Sequence, residues 1–190
     1  MTEPTTLEEH QADLRRSYVG GGVGTVVSGV VWSAAAIAAA RAGTAVGFAT
    51  LFLGGAMIFP VGTLICRRLL GRAPPSESNP GGRIVIETLP GMFAGLFVAY
   101  LLIASRPDLV FPIAAMSVGA HYFGFRTAYG DRTYWLLGGV MFVIGALDAV
   151  DVVPIPLGTP WLVAVAELLF GVWICLRSRA EVRLAMARNL

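Results

Sequence analysis

Residues 42–72 read AGTAVGFATLFLGGAMIFPVGTLICRRLLGR, and this stretch decides the fold. Residues 42–66 are twenty-five positions without a charge, and the run stops on Arg67, Arg68 and Arg72. An α-helix of that length crosses a hydrocarbon core roughly 30 Å thick. Lipid offers no partner to backbone N–H and C=O groups, so such a run must be helical. The pattern repeats in both directions along the chain. Apolar stretches at about Ser17–Ala40, Ala42–Cys66, Ile84–Ser105, Leu109–Phe125, Thr133–Val153 and Pro160–Leu176 all read as spans.

The charges between them set the topology. There is no lysine, and the fourteen basic residues are all arginine. Arg15 and Arg16 precede the first span, Arg67, Arg68, Arg72 and Arg83 follow the second, Arg126 and Arg132 follow the fourth, and Arg177, Arg179, Arg183 and Arg188 follow the sixth. Only Arg41 and Arg106 fall on the other side. Positive charge on short loops stays cytoplasmic. The chain therefore reads as an all-α polytopic protein of the cell membrane, with six transmembrane helices and both termini in the cytoplasm. Residues 1–16 form a cytoplasmic N-terminal tail, 17–176 the transmembrane domain and 177–190 a basic cytoplasmic tail.

Composition excludes several classes. The chain is 56% hydrophobic and 14% charged, against roughly 25% charged in soluble domains, and no loop is long enough for a soluble domain. Topology and anionic lipid account for the arginines, and no basic face is left for nucleic acid. Residues 1–16 carry Glu3, Glu8, Glu9 and Asp13, whereas a cleavable signal needs a basic start. Thr6 and Glu9 have capping-box spacing, predicting a helix from about Leu7 that runs into the first span. Cys66 and Cys175 stand alone, without a CxxC motif, and read as small apolar residues in a reducing compartment.

Packing in lipid relies on close approach of small residues. Gly20 and Gly24, Gly43 and Gly47, and Gly91 and Gly95 form GxxxG pairs, and Gly54–Gly55 and Gly138–Gly139 add flat surface. These faces suit contact with a membrane partner or a second copy. Gly20–Gly22 looks like a phosphate loop but lacks the following lysine, so packing is the better reading. Pro60, Pro90 and Pro112 fall inside spans as candidate kinks, and Pro154, Pro156 and Pro160 stiffen the last outer link. Tyr134 and Trp135 suit the inner interface and Trp161 the outer one. Leu53-Gly-Gly-Ala-Met57 matches Leu137-Gly-Gly-Val-Met141, and Glu87-Thr-Leu-Pro-Gly91 matches Glu167-Leu-Leu-Phe-Gly171. Each match pairs a span with the third one after it, the plan of a 3+3 inverted repeat.

Ionisable residues at membrane depth are costly and therefore informative. Glu167 lies seven residues past Pro160 among leucine, valine and phenylalanine. A protonated carboxyl there can also serve purely as interhelical glue. Asp148 and Asp151 share a face of the fifth span near its outer end. Asp148 and Glu167 are candidates for a carboxylate pair that shares a proton or holds a cation. The plainer reading sets the two aspartates at the interface with Arg41 or Arg106. Glu87 and His121 are expected at similar depth on neighbouring spans, as a pair able to pass a proton, or else as interfacial residues with Arg83 and Arg126 nearby.

Catalytic patterns are weak. Ser117 and His121 share a helix face, but there is no GxSxG elbow, and serines in membrane helices commonly bond their own backbone. With no HExxH and only one other histidine, His10, no metal site, haem or other cofactor is expected.

Phe97-Val-Ala-Tyr-Leu-Leu-Ile103, Arg106-Pro-Asp-Leu109, Ile113-Ala-Ala115, Trp135-Leu and Ile144-Gly-Ala-Leu-Asp148, in a chain of six spans, resemble the HdeD-type bacterial membrane proteins. The likeness covers about a third of the chain and implies a role in acid or membrane stress, with no catalytic residue to carry over. Two functions are consistent with the residues. One is a small proton-coupled permease, with Glu167 and Asp148 as an outer-to-central site and Glu87 and His121 as an inner relay. The alternative is a non-transporting membrane subunit or stress-related structural protein. An enzyme is not expected.

Overall fold

The computed structural model describes residues 6–151 and 158–188. They form eight α-helices and no strand: α1 Leu7–Tyr18, α2 Gly22–Ala42, α3 Thr44–Leu64, α4 Gly81–Glu87, α5 Leu89–Leu102, α6 Val110–Tyr129, α7 Thr133–Ala149 and α8 Thr159–Arg188. A π-helical turn at Ile65–Leu69 extends α3. The protein is a polytopic helical membrane protein. The stretches built on α2, α3, α4–α5 and α8 are each long and apolar enough to cross a bilayer, and α7 is a shorter apolar helix. α6 completes the six. Its 20 residues reach about 30 Å. It carries the polar side chains Ser117, His121, Tyr122 and Arg126 and packs among α5, α7 and α4. An interior helix can hold polar groups that a lipid-facing one cannot.

Two expected spans are broken where the sequence has glycine and proline. Val19, Gly20 and Gly21 take φ of 54°, 66° and 84°, so α1 does not run straight into α2. The left-handed turn at the two glycines needs no Cβ. The third span divides at Thr88, which puts Pro90 in the first turn of α5; Pro112 likewise falls in the first turn of α6. A proline there gives up an N–H that has no helical partner anyway, so neither kinks a helix, and only Pro60 is internal. Pro154 and Pro156 lie outside the described residues.

Neither end of the chain is a loose tail where it is described. The Thr6–Glu9 capping box forms in both directions, and α1 is strapped beneath the bundle. Gln11 donates to Thr127 O, and Arg15 to Tyr129 O. Asp13 accepts from Ser76 N at 2.9 Å and Asn79 Nδ2 at 2.8 Å. Arg67 donates to Ser17 O and Ala73 O, with its guanidinium over the Tyr18 ring. The sixth span continues as helix to Arg188, and α8 is 30 residues long.

Two three-helix groups emerge from the packing. α2 lies along α3 and α8, while α6 lies along α7 and α5. These neighbours correspond under a shift of three spans. Of the two sequence matches behind the repeat, Gly54 and Gly138 both seat against the central helix of their group, on Val31 and Gly119 respectively. Glu87 and Glu167 differ: the first is exposed and the second is wholly buried.

Candidate functional site

The inward face of α8 carries Val163, Ala164, Glu167, Gly171 and Ile174, a helical stripe with one carboxyl in it. Glu167 is eight residues after Thr159 and ten before Arg177, about 12 Å and 15 Å along the axis and so near the middle of the membrane. Glycines set how closely α2 approaches it. A Cβ on Gly29 would stand 2.8 Å from Leu168 Cγ, and one on Gly171 would stand 2.8 Å from both Val26 N and Val26 Cγ2. These contacts lie on either side of Glu167 and lock the two backbones together.

In that seam the Tyr122 hydroxyl of α6 donates to Glu167 Oε1 at 2.8 Å. The Ser28 hydroxyl of α2 lies beside both groups. Glu167 Oε2 is buried without a hydrogen-bond partner. A carboxylate can accept about four hydrogen bonds, so this one has room for a further donor. Its neighbours come from two other helices, α2 and α6, and the Tyr122 bond joins the α2–α3–α8 group to the α5–α6–α7 group.

Toward the arginine-rich end the polar path continues through aromatics. The Tyr122 and Tyr134 rings stack with centroids 6.0 Å apart, and Phe125 and Tyr129 pack against Tyr134. The Tyr134 hydroxyl donates to Gly20 O at 2.6 Å, inside the α1–α2 break. Thr25 Oγ1 donates to Gly21 O at 3.3 Å. The break leaves Gly20 O for the buried Tyr134 hydroxyl, while the Thr25 bond is the usual i to i−4 bond of a hydroxyl in a helix.

The expected carboxylate pair is not assembled. Asp148, at the end of α7, accepts a hydrogen bond from the Thr159 hydroxyl, two helical turns from Glu167. Asp151 is exposed, in a turn with φ 51°. Neither aspartate meets an outer arginine. Arg106 holds Asp108, with Nη2 2.7 Å from Oδ2, and this bond keeps the Asp108 carboxyl below its ordinary pKa. Arg41 is exposed at the end of α2.

The inner pair is altered as well. Glu87 is exposed, and His121 is bound by the next residue, Thr88, with Oγ1 2.5 Å from Nδ1. Thr88 Oγ1 donates its only proton to Val85 O at 2.7 Å, so His121 Nδ1–H is the donor between them. Ser117 donates to Ile113 O at 2.7 Å, the backbone bond common for serine in a helix. Arg126 lies over the Trp135 ring, its Cζ 5.3 Å from the centroid.

Sequence reasoning missed Tyr122, Ser28 and Tyr134 as partners of the core, and also the Asp131–Arg177 ion pair. Asp131 accepts from Thr133 N at 2.9 Å at the start of α7. The Gly130-Asp131 step after an apolar run is a helix-start signal that could have revealed it. Cys66 and Cys175 are free thiols in one apolar cluster with Val19 and Val23. No group of three metal-ligating side chains occurs among the described residues.

The model of a protein family matches residues 7–177. The chain belongs to the DUF7010 family, a family of unknown function. The match covers the whole bundle from α1 to the middle of α8, so the α1–α2 break and the Glu167 seam both lie inside DUF7010. It does not bring the HdeD-type resemblance with it. No curated protein and no solved structure matches this DUF7010 chain.

Proposed function

We propose that this DUF7010 protein is a small proton-coupled permease of the plasma membrane, with both termini cytoplasmic, and that Glu167 is the group that binds the proton. The observation that carries this reading is the Glu167 seam: a wholly buried carboxyl at mid-membrane, bonded by the Tyr122 hydroxyl with Ser28 beside it, and with Oε2 unbonded. Intramembrane carboxyls are expensive, and function is the default explanation for keeping one. The Tyr122–Glu167 bond crosses between the two helix groups, and the Tyr134–Gly20 bond ties α7 to the turn that leads into α2. Rocking one group against the other would break and remake them, which couples carboxyl chemistry to alternating access. The orientation rests on the arginines, twelve of fourteen at one end. Asp148 with Thr159 and His121 with Thr88 stand at either end of the path as relay groups.

The test uses vesicles containing the purified protein and an internal pH indicator, challenged with a panel of solutes under an inward proton gradient. At least one solute should drive acidification in the wild type, and Glu167→Gln should cut that rate at least tenfold. Acidification that survives Glu167→Gln removes Glu167 from the mechanism.

A second reading, a non-transporting membrane subunit or stress-related structural protein, is favoured by the glycine-fitted contacts. Gly22 against Gly171 and Gly119 against Gly138 place backbone on backbone, a geometry suited to a rigid scaffold. It predicts a stable complex with a partner on gentle extraction, and a clean monomer would count against it.

A further inference from the structure

The backbones of α3 and α5 stay apart, the helices meet through the Phe48–Tyr100 and Phe52–Phe93 ring pairs with centroids 6.5 and 6.2 Å apart, and a cavity of about 1000 Å³ lies between them. Its walls are apolar and aromatic, with Phe48 and Phe52 on α3 facing Phe97 and Tyr100 on α5. Several of these rings are exposed, so the cavity is a groove open to the surroundings of the bundle. The lining covers residues 45–53 of α3 and 93–102 of α5, with Ile103 and Ala104 just past its end, about 12 Å and 14 Å of helix. That is the depth of one leaflet of a core roughly 30 Å thick. A transmembrane helix from a partner or a second copy would need a track through both leaflets.

Charge gathers at the mouth of this groove. Arg41 lies four residues before Ala45, and Arg106 two residues after Ala104. Both are exposed, and they are the two arginines of the arginine-poor end. Arg106 shares its charge with Asp108, while Arg41 makes no ion pair among the described residues. Arg41 thus stands close in sequence to the outer end of an apolar slot one leaflet deep, without an ion-pair partner among the described residues.

We propose that this groove binds an anionic phospholipid, with its acyl chains against Phe48, Phe52 and Phe97 and its phosphate on Arg41 and Arg106. The site is separate from the Glu167 seam and does not depend on the permease reading. Each arginine near a membrane surface attracts an anionic lipid by about fivefold in affinity.

The test counts lipids retained by the detergent-purified full chain in native mass spectrometry, after addition of dioleoylphosphatidylglycerol or dioleoylphosphatidylcholine. The wild type should retain one phosphatidylglycerol and prefer it over phosphatidylcholine by about fivefold or more. Arg41→Gln should keep lipid binding but lose most of that preference. Ala49→Trp, which fills the groove, should abolish retention, and Ala45→Phe repeats the test at the mouth should the tryptophan variant fail to fold. Three results would overturn the proposal: no retained lipid, retention unchanged in both filled variants, or a preference untouched by Arg41→Gln. A wild-type dimer that Ala49→Trp splits would also overturn it, because the occupant would then be a second copy.

Discussion

The α2–α8 seam and the α3–α5 groove are both helix pairs in the same bundle, yet one is closed and the other open. Along the seam, Gly22, Gly29 and Gly171 remove the side chains that would hold the backbones apart. Along the groove, Phe48, Phe52, Phe93 and Phe97 do the opposite. Water does not drive apolar surfaces together inside lipid, so contact follows the fit of small residues rather than total apolar area. The carboxyl sits in the closed seam, where lipid cannot reach it, and the open groove holds apolar and aromatic side chains.

The strongest way to break the comparison is to give the seam the bulk of the groove. Gly171→Ala puts a methyl 2.8 Å from Val26 N, and helix backbone cannot step aside. It should cost about 1–3 kcal/mol, read as a clear drop in melting temperature in detergent, whereas an unchanged melt would mean the seam is looser than described. Next comes Tyr122→Phe, which removes the hydroxyl that bonds Glu167 and faces Ser28. A loss of about 0.6–1.7 kcal/mol is expected, and it should disappear in a Glu167→Leu background measured as a double-mutant cycle. The contrasting change, Gly55→Ala on α3, meets open space. It should leave stability unchanged or raise it by up to about 1 kcal/mol through helix propensity.

The smallest effect belongs to the outer loop. Arg106 keeps the Asp108 carboxyl below its ordinary pKa. A group lowered on folding lends stability above its unfolded pKa and loses it as pH falls through the folded one. The slight advantage of wild type over Asp108→Asn should therefore be present at neutral pH and vanish in acid, at and below the ordinary carboxylate range. An advantage that persists in acid would mean that the bond is not what Asp108 contributes.

The spans were legible because an uninterrupted apolar run is a local property. The helix breaks were half legible: Gly20–Gly22 and Pro90 were visible, but packing and kinking were the readings, where the chain instead stops one helix and starts another. Glu167 stood out because its own neighbours in sequence are all apolar. Its partner Tyr122 did not, since α6 and α8 meet only through tertiary packing, and nothing within Ala120–Phe125 signals the contact. The Asp148–Glu167 pairing failed on depth. Thr159 holds Asp148 at the first turn of α8, two turns above the carboxyl it was expected to join. Glu87 failed for a related reason, because the break at Thr88 presents the threonine, not the glutamate, to His121.

The central claim is that Glu167 exchanges a proton inside the seam. Infrared difference spectroscopy across a pH titration reads that directly, with Glu167→Gln and Tyr122→Phe beside the wild type. A carboxyl band that titrates reversibly, is lost in Glu167→Gln and shifts in frequency in Tyr122→Phe is the predicted result. A wild-type spectrum in which Glu167→Gln removes no titrating band would contradict it, and Glu167 would then be a fixed hydrogen-bonded strut between α8 and α6.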